Sequence, residues 1–177
     1  LLLLRLASNE PQLPPIPARC PPRLQGTHGC SRVAAAGSSH RAPAPPLDAP
    51  FRRRALLSDV ERELVWWVGQ QSRRVTILRH DKPSSSKGGD AARGGGFMHV
   101  RAVTPMMGFA DDFFLSWRCL KGEAVVELQG QLRLGVGDTG VNVRRNAAVL
   151  SHMRAAAEGG ELRSARACRD KRAKVFC

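Results

Sequence analysis

Two runs of strand-forming residues meet at Lys121-Gly122, and this hairpin constrains the fold more than any other feature of the chain. The first run is "DDFFLSWRC", Asp111 to Cys119. Coiled as a helix, it would line up Phe113, Trp117 and Leu120. Extended as a strand, it sets Phe113, Leu115 and Trp117 on one face and Phe114, Ser116 and Arg118 on the other. Its shortness, its aromatic content and the Lys-Gly turn favour the strand. The second run, "EAVVELQGQLRLG", continues as a longer strand in which Gly130 is a candidate bulge.

The flanking pieces have their own periods. Ser58 to Glu61, "SDVE", has the form of a capping box. Val60, Leu64, Trp67 and Val68 then share one helical face, so a helix is expected over residues 58–69 and ends at Gly69. Trp66 and Trp67 read as core and rim packing. "RRVTILRH" (73–80) and "FMHVRAVT" (97–104) read as strands, joined by a Ser- and Gly-rich loop over 81–96. That loop holds "SSSKGG" but lacks the order of a phosphate loop, which needs a strand before it and a helix after it. Beyond the "GDTG" turn, residues 141–157 are Ala-rich. Val141, Leu150 and Met153 form an apolar stripe there, with Arg144, Arg145 and Arg154 outside it. Short connections favour antiparallel neighbours. The expected fold is α+β: a four-stranded antiparallel meander with two packing helices over residues 57–157.

Outside that span the composition changes. Residues 1–56 hold eight Arg against Glu10 and Asp48, with many Pro, Ala and Ser. This is the composition of a disordered arm or a targeting segment such as a transit peptide. Residues 158–177 read as a basic tail. The net charge of +13 therefore sits largely in the two flanks. It invites a nucleic-acid reading, but three Trp, six Phe and no Tyr leave few rings for base stacking, so a nucleic-acid partner is not expected. No apolar run approaches the ~18 residues of a membrane-spanning helix. Cys20 and Cys30, with His28 and His40, match no standard zinc spacing. A Cys20–Cys30 disulfide and two free thiols both remain open.

The order of these pieces resembles the domain of unknown function 1499 family, found in bacteria and in plastid-bearing eukaryotes. "CPPRLQGTHGCS" (Cys20 to Ser31), "PPL" (Pro45 to Leu47) and the acidic pair Asp111-Asp112 in "GFADDFF" carry the first part of the resemblance. The terminal signature is carried by Arg133, Gly135, Asp138, Gly140, Asn142 and Arg145. Gln129 to Leu132, "QGQL", stand where the family has Arg-Ser-x-Ser, and Val136-Gly137 stand where Tyr-Ser is usual. The resemblance implies a chloroplast setting if the source is photosynthetic, and no known activity.

The same residues supply the candidate site: Asp111, Asp112, Arg133, Asp138, Asn142 and Arg145. Asp138 or Thr139 can cap the incoming helix, and Asn142 can bond the turn carbonyls. Asp111 and Asp112 are adjacent on a strand, so they point to opposite faces and do not form a dyad. One is expected to look inward to an arginine and the other to face solvent. Nearby arginines oppose a cation, so no metal and no cofactor is expected. A small anion is the sensible ligand, held by Arg133, Arg145 and the helix amides. His80 and His99 read as exposed bystanders on adjoining strands. The expected function is a non-enzymatic binding or structural module with an anion or small polar ligand site at the strand-to-helix turn. The alternatives are an enzyme acting on a small polar metabolite and a basic RNA-associated protein.

Overall fold

A computed structural model describes residues 20–21, 29–34, 49–71, 74–82, 95–104, 108–133 and 137–164. The fold is α+β. Six strands, β1 (Cys30–Val33), β2 (Phe51–Arg53), β3 (Val75–Asp81), β4 (Gly96–Val103), β5 (Ala110–Leu120) and β6 (Glu123–Leu132), form one antiparallel sheet. Helices α1 (Leu57–Gly69) and α2 (Val141–Glu158) pack on one of its faces.

The expected hairpin is the centre of the sheet. Leu120 pairs with Glu123, and the two residues between them both have positive φ, Lys121 at 54° and Gly122 at 78°. That is the turn whose twist matches paired strands. Gly130 is not a bulge, because the β5–β6 register runs unbroken from Asp111↔Leu132 to Leu120↔Glu123. Its missing side chain serves a close approach instead. A Cβ there would lie 2.5 Å from Asn142 Oδ1 and 3.0 Å from Asn142 Cβ, on the first turn of α2. Gly130→Ala is therefore expected to cost about 1–3 kcal/mol by overpacking. Gly69→Ala, with nothing within 4 Å, serves as its control. A urea midpoint for Gly130→Ala equal to that of wild type would refute the contact.

The sheet is larger than the expected four strands. β3, β4, β5 and β6 are sequential neighbours, and β1 and β2 lie end to end along the outer edge of β6. β1 pairs with Leu128 to Gln131, and β2 with Ala124 to Val126. Both come from the span read as an arm. β6 is ten residues long, and its second edge carries N–H and C=O groups that need partners. Cys20 and Cys30 are joined by a disulfide, with their Cα atoms 5.8 Å apart. Phe51, Ala55 and Leu56 are buried as well.

Helix α1 starts at Leu57, one residue before the expected start, and has no side-chain cap. The amides of Asp59 and Val60 both donate to the Leu56 carbonyl at 3.1 Å, so the Ser58–Glu61 box does not form. Val60, Leu64 and Val68 are buried as their spacing requires, while Trp66 is 53% exposed. Asp59 instead ties the helix to the segment that follows α2: Arg163 Nε and Nη2 donate to it at 2.9 Å, and Leu162 is buried in the core. The first residues of the span read as a tail thus pack on α1. The buried stripe of α2 includes two amides, Asn142 and Asn146, beside Leu150 and Met153. Most of the 81–96 loop lies outside the described residues, as does Gly135.

Candidate functional site

The six candidate residues gather at one end of the sheet but divide between its faces. Asp111 is opposite Ala102 and Leu132, on the side of Phe113 and the helices. Asp112 is opposite Arg101 and Gln131 on the other side. The expected split of the pair is present, yet neither carboxylate faces solvent: Asp111 is 0% exposed and Asp112 1%. Both faces of the sheet are covered at this end, a condition that strand alternation alone does not reveal.

Asp112 is held from two directions. Arg133 Nε donates to both of its oxygens at 3.0 Å, and Nη2 donates to Oδ1 at 2.8 Å. His99 Nε2 lies 2.7 Å from Oδ1, and because an ionised carboxylate only accepts, the imidazole is the donor. Burial alone would push this carboxyl up. The hydrogen bonds from His99 and Arg133, with the guanidinium charge, outweigh it and hold the group below its ordinary value. His99 is itself 2% exposed and stacks on Phe114 at 4.6 Å. It is part of the network rather than an exposed bystander. His80 lies on the opposite face, with its ring 6.0 Å from that of Trp117, so the two histidines are not neighbours.

On the helix face the arrangement is different. Arg145 Nη2 donates to Asp111 Oδ2 at 3.3 Å, and Nη1 donates to Asn142 Oδ1 at 2.7 Å. The spacing sets Arg145 outside the apolar stripe of α2, but its guanidinium turns inward over the Phe113 ring at 5.7 Å. Asn142 therefore accepts from an arginine instead of bonding turn carbonyls. Asp138 accepts from the amides of Gly140 and Asn142 and so occupies the first turn of α2. Thr139 donates to the Asp138 carbonyl. Asp111 Oδ1 is buried with no hydrogen-bond partner among the described residues. Burial raises the Asp111 carboxyl to about 6; Arg145 offsets this only in part, and the charges of Asp138 and Asp112 add to it.

No family model, curated protein or solved structure matches the chain.

The expected anion cradle is not assembled as drawn. Arg133 and Arg145 lie on opposite faces, and Asp138 already occupies helix amides that an anion would use. What the fold does build is a pocket of about 290 Å³ between the C-terminal end of α1, the start of α2 and the ends of β3, β4 and β5. Trp67, Val75, Val100, Ala102 and Phe113 give it apolar walls, Gln71 and Thr104 add two polar side chains, and among the described residues Arg145 is its one charged lining residue. Arg145 keeps 16% of its side chain exposed. With two contacts accounted for, its five-donor fork has capacity for a ligand oxygen. Among the described residues no three His, Cys, Asp or Glu side chains converge as metal ligands, and no helix is long and apolar enough to cross a membrane.

Proposed function

We propose that this protein is a non-enzymatic binding module for a small anionic ligand, seated in the pocket beside Arg145. The observation that carries the reading is the Arg145 guanidinium, partly exposed, the one charged group among the described lining residues and set among mostly aromatic and aliphatic walls. Small-ligand sites have this form: mostly apolar, with few polar groups placed to orient the guest. The resemblance to the domain of unknown function 1499 family implies no reaction. A plastid setting belongs to the same proposal if the source is photosynthetic.

The test is a thermal-shift series with benzoate, propionate, phosphate and sulfate on the full chain. A ligand at ten times its Kd adds about 1.4 kcal/mol, or roughly 3–5 °C in Tm. Val75→Phe narrows the pocket from the β3 side without touching the ion pairs, and should abolish the shift while the variant stays folded. An equal shift in wild type and Val75→Phe would place the ligand elsewhere.

One observation favours a second reading, an enzyme acting on a small polar metabolite: the Asp111 carboxyl, raised to about 6, is in the range useful for acid–base catalysis. That reading requires turnover in a metabolite screen, lost in a folded Asp111→Asn variant.

A further inference from the structure

The charges around the pocket narrow the ligand class further, on the reading that Arg145 anchors an anion there. Arg145 faces Asp111 from α2, and Asp138 reaches the same cluster from the turn before α2. Asp112 adds its charge to Asp111 from the opposite face of the same strand. The cross-strand neighbours of Asp111 on β4 and β6 are Ala102 and Leu132, which carry no charge. With every group ionised, Arg145, Asp111 and Asp138 sum to one negative charge. An anion entering that cluster meets repulsion that one guanidinium already shared with Asp111 does not offset. A phosphate dianion is worse placed still: it brings a second negative charge, and besides Arg145 the mostly apolar lining offers its remaining oxygens only the Gln71 amide and the Thr104 hydroxyl. A compact apolar body with one carboxylate suits both the walls and the single cation.

We infer that the ligand is a small monocarboxylate with an apolar body, and that it binds together with one proton, which neutralises Asp111 and releases Arg145 to the ligand. The proton comes from solvent and is held at Asp111 Oδ1, the oxygen that Arg145 does not contact. Arg145 then passes from an intramolecular carboxylate to the carboxylate of the guest, and the charge of the cluster is unchanged by binding. The buried, unpartnered Oδ1 and the raised Asp111 carboxyl agree with a site ready to take that proton.

Isothermal titration of the full chain with benzoate at pH 5.5, 6.5 and 7.5 tests this, with benzyl alcohol and inorganic phosphate as comparisons. Benzoate stays ionised throughout that range. Its Kd is expected to weaken roughly twentyfold from pH 5.5 to 7.5. At pH 7.5, titrations in two buffers of different ionisation heat should show close to one proton taken up per benzoate. Asp111→Asn should bind benzoate with a Kd independent of pH; if that variant fails to fold, the two-buffer comparison on wild type decides. Benzoate binding with the same Kd at all three pH values and no proton uptake overturns this inference while leaving the anion-binding module standing. Phosphate binding as tightly as benzoate at pH 7.5 overturns the ligand class. Failure of benzoate to bind at any pH overturns this inference, and failure of propionate, phosphate and sulfate as well overturns the module reading with it.

Discussion

Arg133→Met is expected to lower the stability of the protein by about 3 kcal/mol near neutral pH. Arg133 is 8% exposed and makes three hydrogen bonds to a carboxylate that is 1% exposed. Removing one member of such a buried pair leaves the other charge desolvated and only partly compensated, at a cost of about 3–5 kcal/mol. The lower end applies here because His99 still donates to Asp112. The loss depends on pH in a definite direction. The folded Asp112 carboxyl lies below its ordinary value of 3.8, so its contribution is present above that pH and is lost as pH falls through the folded value. The gap between wild type and Arg133→Met should be widest near pH 7 and close as the pH drops below about 4. Arg133→Lys, which keeps the charge but not the planar fork, should recover part of the loss. Urea unfolding at pH 7 and pH 3 reads both quantities. A loss under ~1 kcal/mol, or the same loss at both pH values, would mean that the pair is not coupled as its geometry indicates.

The parts of the fold that were legible in the chain are those whose information is local. The β5–β6 hairpin is written in its alternation and in Lys121-Gly122, whose dihedrals a turn of this kind demands. α1 is written in the spacing of Val60, Leu64 and Val68. The strands β1 and β2 were not legible, because four and three residues carry no readable period; they are strands because β6 has an open edge. Gly130 looked like a bulge for the same reason. A glycine within a strand reports either an irregularity or a close neighbour, and only the packing of Asn142 decides between them. At the site, the opposite orientation of Asp111 and Asp112 follows from adjacency on a strand. Their joint burial does not, since it requires knowing that both faces are covered. The partnership of His99 with Asp112 is not legible because it depends on the β4–β5 register, which the turn closed by Thr104 and Phe109 sets and no local period reports. Arg133 and Arg145 looked convergent because both flank one turn. The strand turns the first to one face of the sheet, and the helix brings the second back over the other.

Replacing Cys20 and Cys30 with serine is expected to cost about 2–3 kcal/mol, chiefly by freeing the unfolded chain. The bridge spans a sequence separation of ten residues, and a closed loop of about that length predicts close to 3 kcal/mol in the chain-entropy account. The loss should begin at the edge of the sheet. β1 is held to β6 by a four-residue register, by Leu132 N donating to Gly29 O at 2.7 Å, and by Arg32 donating to Gln129 at 2.9 Å. Asn146 on α2 adds bonds to the carbonyl and hydroxyl of Ser31. Without the bridge these contacts must hold the strand unaided, and an edge strand opens more readily than a central one. Amide exchange should therefore quicken first at Ser31 to Val33, while Val100 and Phe113 in the central strands keep the protection of global unfolding. Val33 is 2% exposed and belongs to the main core, so release of β1 uncovers apolar surface and lowers the global midpoint as well. Wild type treated with dithiothreitol should match the Cys20→Ser/Cys30→Ser variant in both readouts. Equal urea midpoints for bridged and unbridged protein, with unchanged exchange in β1, would show that the bridge adds nothing to stability and that the contacts of β1 with β6 and α2 hold the strand unaided.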